Sequence, residues 1–164
     1  MWRCRLYDFF EAFEQMGWVQ WISGSWWLYP AISVLHYFTV FWVVGTISLV
    51  NLRVLGLAGR GQTASEWTDQ LAPWTWTAMA ICLLTGFLQF APGAGEFILS
   101  PMFQGKLATT LVGVVLAVVV HRGVHKWDRA PSIPASAKLL AAACLVAWFG
   151  TILMGVEVAN YGFF

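Results

Sequence analysis

The sequence predicts an all-α membrane protein, a bundle of four membrane-spanning helices preceded by an amphipathic helix at the membrane interface. Of its 164 residues, 59% are hydrophobic and 10% are charged, and the mean hydropathy is +0.68. A soluble domain of this size is far less apolar. Four apolar stretches are long enough, at about 1.5 Å of rise per residue, to cross the ~30 Å hydrocarbon layer of a lipid bilayer. The net charge of +1, from scattered basic residues, argues against a nucleic-acid partner.

Residues 1–29 are predicted to form an interfacial segment. From Leu6 to Ile22 the apolar residues recur at spacings of three and four, opposite acidic ones, which is typical of an amphipathic helix lying in the interface. The acidic residues interrupt any apolar core that a signal peptide would need, so we expect this segment to be retained. An aromatic belt at headgroup depth follows. It consists of Trp18, Trp21, Trp26, Trp27 and Tyr29.

Residues 30–164 are predicted to form the four-helix bundle. Ser100 as N-cap and Pro101 at the first helical position mark the start of the third span. Small residues at four-residue intervals let helices pack closely in lipid, and they occur in the second and fourth spans. Those stripes are Ala78, Cys82 and Gly86, and Ala143, Ala147, Thr151, Gly155 and Ala159. The spans are Pro30 to Asn51, Ala72 to Ala91, Pro101 to Val120 and Lys138 to Val158.

The first span contains one histidine, His36, and no formally charged side chain if that histidine is neutral. On a helical wheel His36 shares a face with β-branched residues, opposite a face of bulky aromatic ones. If the aromatic face contacts lipid, the imidazole faces protein, where an ionisable group is a functional candidate. The alternative is a neutral histidine hydrogen-bonded to a neighbouring helix. The two faces are His36, Val40, Val43, Ile47, Val50 and Val54, and Phe38, Phe41, Trp42, Gly45 and Leu49.

Lys106 lies near the start of the third span, which runs in the same direction as the first, so it lies at the same membrane side as His36. Glu157 lies near the end of the fourth span, also on that side. An ion pair would lower the cost of placing both charges in the membrane. The sequence therefore predicts a structural Lys106–Glu157 pair, with snorkelling of Lys106 to the interface as the alternative.

Basic residues concentrate in the loops on one side of the predicted membrane. By the positive-inside rule this side is cytoplasmic. We therefore expect a bacterial cytoplasmic (inner) membrane protein with both termini in the periplasm. The predicted basic collar is Arg53, Arg60, Arg122, Lys126, Arg129 and Lys138, against Arg3, Arg5 and Lys106 on the other side.

His121 and His125 lie at the inner end of the third span, about a membrane thickness from His36, which disfavours a haem held between His36 and His121. The two could touch one metal ion. However, no acidic or cysteine ligand accompanies them in the sequence, and Arg122 and Lys126 crowd the site, so we interpret them as residues of the collar. The chain has no HExxH motif, phosphate loop or nucleophile elbow, so hydrolase and ATPase activities have no support.

The chain contains, in this order, SWWLYPAISVLHYF, NLRVLGLAGR, LAPWTWTAMAICLLTGFLQFA and SPMFQGKL. Together these segments resemble a bacterial family of four-span membrane proteins known only as a domain of unknown function. More distantly, the histidine of the first span with the lysine that opens the third is similar to HemJ-type protoporphyrinogen oxidases and CopD-type copper-resistance membrane proteins. This resemblance implies that His36 and Lys106 contact a cofactor. Ser33 and Asn51 replace acidic residues that the family often carries, which disfavours a proton-coupled role.

Three functional hypotheses remain open. The first is a non-catalytic accessory or structural subunit of a larger energy-transducing or redox membrane complex. Its 11 tryptophans and 12 phenylalanines would supply interface anchors and apolar surface for other membrane-protein subunits. The second is a haem b electron-transfer protein that uses His36, with Lys106, Met102 or Met154 as the other ligand-type groups at that depth. The third is a HemJ-like enzyme that acts on a porphyrinogen.

Overall fold

The chain folds into seven α-helices in its described part, and four of them are long and apolar enough to cross a membrane. This confirms the all-α four-helix bundle. The computed structural model describes residues 2–59 and 61–161, with the side chains of residues 7–59 and 61–158, and contains no β-strand there. The helices are α1 (Trp2–Glu14), α2 (Gly17–Gly24), α3 (Leu28–Val54), α4 (Ala64–Phe90), α5 (Ala94–Leu99), α6 (Pro101–Trp127) and α7 (Ala135–Tyr161).

The bundle is built from two helical hairpins. Helix α3 packs along α4 and α6 packs along α7, while α3 also contacts α7 and α4 contacts α6. We call the end where α3 and α6 begin the outer end. The core consists of small and β-branched residues, whereas Phe38 and Phe41 of α3 are 60% and 77% exposed, as the helical wheel predicted. The middle of the core comprises Val43, Ile47, Ala78, Met79, Ala117, Cys144 and Trp148.

Helix ends differ from the predicted spans because capping groups set them, whereas hydropathy locates only their apolar middles. Helix α4 begins at Ala64, about two turns before the predicted Ala72, since Thr63 and Glu66 form a capping box. The Thr63 side chain accepts the Glu66 N–H at 3.2 Å, and the Glu66 carboxylate accepts the Thr63 N–H at 2.7 Å. The predicted start of the third span is confirmed, because Ser100 accepts the N–H of Phe103.

The small-residue stripe of the second span packs as predicted, whereas that of the fourth packs only in its later part, where Gly155 lies against Lys106. Ala143 is exposed, although Thr151 is buried. A four-residue step turns about 40° beyond a full helical turn, so a long stripe winds away from one face. The buried face of α7 instead runs through Ala141, Cys144 and Trp148. Ala159 lies outside the described side chains.

The N-terminal segment forms two helices rather than the single one predicted over Leu6 to Ile22. The break occurs at Gln15 and Met16, directly before Gly17, a poor helix former that begins α2. There the Gln20 side chain donates to the carbonyl of Glu14 at 2.9 Å and so satisfies a carbonyl at the end of α1. Helix α1 packs against α5 at the outer end, where Glu14 accepts the N–H of Gly95 at 2.7 Å.

No helix was predicted between the second and third spans, yet this segment forms a 3₁₀ turn at Ala91–Gly93 and then α5. A six-residue helix has little intrinsic stability. Its contacts with α1 and α6 stabilise it instead. Sequence periodicity cannot register such an element, because it is too short to repeat.

The loops α3–α4 and α6–α7 meet at the inner end of the bundle. The N–H of Ser65 donates to Asp128 at 2.6 Å, and Arg53 donates to the carbonyl of Gln62 in its own loop. The collar residues described are therefore at one end, with Arg53 half-buried and the others exposed. Those others are Arg122, Lys126, Arg129 and Lys138. Arg60 lies outside the described residues.

Candidate functional site

A cavity of about 520 Å³ lies between the outer halves of the four long helices. This outer cavity brings together His36 of α3 and Lys106 of α6, the two residues singled out in the sequence. No acidic residue is among its described lining. The lining residues are Tyr29, Ser33, His36, Tyr37, Val40, Gly86, Gln89, Phe90, Phe97, Phe103, Lys106, Thr151, Ile152, Gly155, Val156 and Val158.

The imidazole of His36 is held by α4. Its Nδ1 atom lies 3.1 Å from the main-chain carbonyl oxygen of Cys82 and 3.0 Å from the hydroxyl oxygen of Thr85. The carbonyl can only accept, so Nδ1 carries the hydrogen and donates it. The Thr85 hydroxyl in turn donates to the carbonyl of Ile81 at 2.8 Å. These bonds fix both the tautomer and the orientation of the ring.

The second ring nitrogen of His36, Nε2, is the one left for the outer cavity. Because Nδ1 carries the hydrogen, Nε2 of the neutral ring offers a lone pair. No described residue forms a hydrogen bond to Nε2. Nε2 is also not one of the described side-chain atoms that are fully buried without a hydrogen-bond partner. A histidine whose other nitrogen donates to a backbone carbonyl has the arrangement usual for a metal ligand.

Gly86 makes this arrangement possible by letting α4 approach the ring. A Cβ atom at Gly86 would lie 3.1 Å from Cε1 of His36 and 3.6 Å from Nδ1. A larger residue would push the imidazole away from the carbonyl of Cys82. The predicted stripe of small residues on α4 therefore serves His36 as well as helix packing.

Lys106 enters the outer cavity alongside α7. Its methylene chain packs on Gly155, where a Cβ atom would lie 3.6 Å from Cε and 3.8 Å from Nζ of the lysine. The predicted ion pair with Glu157 is not formed: the one ion pair between described residues joins His125 and Asp69. Glu157 is exposed, and two helical positions beyond Gly155 it is turned by roughly 200° from the lysine. The prediction placed both groups at the right depth but could not give their directions.

Aromatic rings form the outer wall of the cavity. Phe90 stacks on Phe103 with centroids 5.2 Å apart, and Phe97 stacks on Phe103 at 5.6 Å. Helix α1 supports this wall from outside, since Phe10 meets the edge of Phe90 at 5.8 Å. The wall is therefore apolar and aromatic.

Two methionines proposed as ligands at this depth do not reach the cavity. Neither Met102 nor Met154 is among the described residues that line it. Met102 is 45% exposed, and the sulfur of Met154 lies near Gly105 instead. Among the ligand-type groups named from the sequence, His36 and Lys106 are thus the ones that share a site.

His121 and His125 have separate environments. Nδ1 of His121 lies 2.8 Å from the carbonyl of Ala117, its Nε2 is buried without a partner among the described residues, and its ring packs on Trp76. His125 is exposed and lies 3.1 Å from Asp69, an acidic partner that α4 supplies and that the sequence did not reveal. Described residues form no group of three His, Cys, Asp or Glu placed to hold a metal ion.

No family model matches the chain, and no solved structure matches it. Over an alignment of 163 residues the chain is 29% identical to the cytochrome c-type biogenesis protein CcmF of Escherichia coli (strain K12). The alignment covers 87% of this chain and 22% of CcmF, so the chain spans about a fifth of that relative's length. The similarity is thus to one stretch of a much larger protein.

Proposed function

We propose that this membrane protein is a small subunit of a bacterial redox or energy-transducing assembly and holds haem b in the outer cavity through Nε2 of His36. The observation that carries the proposal is the bond from Nδ1 of His36 to the carbonyl of Cys82. That bond leaves the lone pair of Nε2 for a ligand in the cavity.

The residues of the cavity fit a haem. Its volume of about 520 Å³ lies within the ~300–1,000 Å³ typical of cofactor sites, and its wall of phenylalanines suits a flat macrocycle. A porphyrin brings its own equatorial nitrogen ligands, so the protein needs to supply one or two axial groups and no cluster of three. Haem, when bound, supplies one-electron redox chemistry.

The chain's own residues divide the remaining work. His36 would hold the haem through Nε2, while Cys82 and Thr85 orient the imidazole through Nδ1. Val40 and Ile152 line the cavity with apolar surface and exclude water. Hydrogen bonds of the non-ligating nitrogen, here those of Nδ1 with Cys82 and Thr85, generally raise the basicity of a ligating histidine and fix the orientation of its ring.

The similarity to CcmF supports a role near haem. That protein is named for the biogenesis of c-type cytochromes, which carry attached haem. The chain spans about a fifth of it, so we take from the comparison only a haem-associated membrane setting. The accessory role rests on the large exposed aromatic surface of α3, which can contact lipid or partner helices. The HemJ-like and CopD-like resemblance, inner-membrane location and periplasmic termini stay predictions.

The test is the absorbance spectrum of the protein purified from its native membrane. We expect a Soret band in the wild type and in His121→Ala, which removes another buried histidine. His36→Ala should accumulate without the band. A colourless wild type that co-purifies with other membrane subunits would be consistent with the accessory role and would refute the proposal that the protein binds haem. A Soret band that persists in His36→Ala would refute the assignment of the ligand.

A further inference from the structure

Lys106 is half-buried, and no acidic group among the described residues pairs with its amine. Its ammonium has no hydrogen bond or ion pair with any described residue, and no described lining residue of the outer cavity is acidic. Its methylene chain packs on Gly155, so it is held along the cavity wall. Placing an unpaired charge within an apolar bundle is costly.

We infer that Lys106 anchors a carboxylate group of the molecule that occupies the outer cavity, and that this molecule is a tetrapyrrole acid. The inference rests on the proposed function, because it describes the same site. A carboxylate would give the ammonium the charge-assisted partner that none of the described residues provides. A neutral ligand such as a quinone would leave the cost unrelieved.

The depths of the two residues suit a ligand that is apolar at one end and acidic at the other. His36 lies eight residues into α3, or about 12 Å of helix rise, whereas Lys106 lies five residues into α6, or about 7.5 Å. Counted from the first residue of each helix, the lysine is nearer the outer end of its helix than the histidine is. A tetrapyrrole ring near His36 can direct its acid side chains outward, where the charge is closest to water.

The phenylalanine wall favours a flat, broad ligand over a fatty acid, which has the same carboxylate chemistry. Phe90 and Phe103 stack with an interplanar angle of 11°, and both line the cavity. An aromatic macrocycle can stack on these rings or meet their edges, and such aromatic pairs attract beyond the area they bury, which a flexible acyl chain does not gain. We therefore assign the carboxylate to the tetrapyrrole.

The experiment uses metal-free protoporphyrin IX and its dimethyl ester, titrated by fluorescence into the full-length, haem-free protein in nanodiscs. We expect the wild type to bind the free acid at least tenfold more tightly than the ester. Lys106→Met should remove this preference, Lys106→Arg should retain much of it, and Lys126→Met, an exposed lysine of the same helix, should match the wild type. Oleate should compete only weakly.

Equal binding of acid and ester by the wild type, a preference that survives in Lys106→Met, or binding of neither porphyrin would overturn the inference. Tighter binding of oleate than of protoporphyrin would overturn the assignment to a tetrapyrrole. The porphyrin contains no iron, so these results do not depend on coordination by His36. A failure of the haem proposal would appear separately, as a Soret band that is absent or independent of His36.

Discussion

The Nδ1 atom of His36 lies 3.1 Å from the main-chain carbonyl oxygen of Cys82, so the backbone of α4 orients the one histidine of the outer cavity. A carbonyl is present whatever the side chain at position 82. The orientation of His36 should therefore tolerate changes of that side chain. It should be more sensitive to Thr85, whose hydroxyl lies 3.0 Å from Nδ1, than to the thiol of Cys82, whose sulfur lies 3.9 Å from it.

Substitutions at Cys82 and Thr85 distinguish how much the backbone and how much a side chain contribute to the orientation of His36. Cys82→Ala keeps the carbonyl and should leave the spectrum of bound haem unchanged. Thr85→Val removes one hydrogen-bond partner and should lower the free energy of unfolding by about 1 kcal/mol. Thr85→Ser, which keeps the hydroxyl, is the control, and unfolding in detergent followed by circular dichroism is the measurement. A larger loss of unfolding free energy in Cys82→Ala than in Thr85→Val would contradict this explanation of how the His36 ring is oriented.

Gly86→Ala should disturb His36 directly. The added Cβ would lie 3.1 Å from Cε1 of the imidazole, so the ring or the helix must move. Overpacking of this kind costs about 1–3 kcal/mol. We expect lower thermal stability together with less bound haem per protein, measured by absorbance.

Gly45→Ala is the matched control for Gly86→Ala, because a Cβ at Gly45 would meet nothing within 4 Å. Alanine is the better helix former, so this change should be neutral or slightly stabilising, by up to about 1 kcal/mol. If both alanine variants behaved alike, the close approach of Gly86 to His36 would not matter for the site.

The α3–α4 loop depends on two glycines with positive φ. Gly56 has φ +79° and open space around it, whereas Gly59 has φ +64° and a Cβ there would lie 2.8 Å from the ring of Trp67. Gly56→Ala should cost about 1–2 kcal/mol from backbone strain alone. Gly59→Ala should cost more, because it adds a clash. Chemical unfolding of both variants measures the difference in their unfolding free energies. Equal losses would show that the clash with Trp67 contributes nothing.

Reporter fusions test the orientation of the bundle. The basic collar predicts that fusions after Gly61 and after Pro131 both report the cytoplasm. The structure places these loops at one end, through the bond between Ser65 and Asp128, so the two reporters must agree. A periplasmic signal from both would invert the topology, and disagreement between them would argue against the bundle itself.

Much of the bundle could be predicted from the sequence because the bilayer imposes strong constraints on it. The buried face of α3, with His36 and Val43 on it, follows from helical geometry and the preference of bulky aromatic residues for the exterior. The depth of Lys106 follows from the start of its helix at Pro101. The length of a helix and the periodicity of its apolar residues are local properties that can be read from a single sequence.

The details of the site could not be predicted, since they depend on contacts between helices. The carbonyl of Cys82 carries no signature in the sequence. Only the small residue at Gly86 indicated a close approach, and nothing identified the ring of His36 as its neighbour. The direction of the Glu157 side chain could not be predicted for the same reason: depth along a helix does not determine which neighbour a side chain faces. The partnership of Asp69 with His125 likewise joins residues far apart in the chain.

The central claim is that Nε2 of His36 is the axial ligand of a haem, and rescue by a small ligand tests it most directly. His36→Gly removes the imidazole and leaves space beside the cavity for a free one. The folded variant, checked by gel filtration, should lose the wild-type Soret band and recover it when imidazole is added together with haem. Recovery of the wild-type spectrum on adding imidazole is the predicted result; a His36→Gly protein that keeps that spectrum without imidazole, or stays unchanged with it, would contradict the claim.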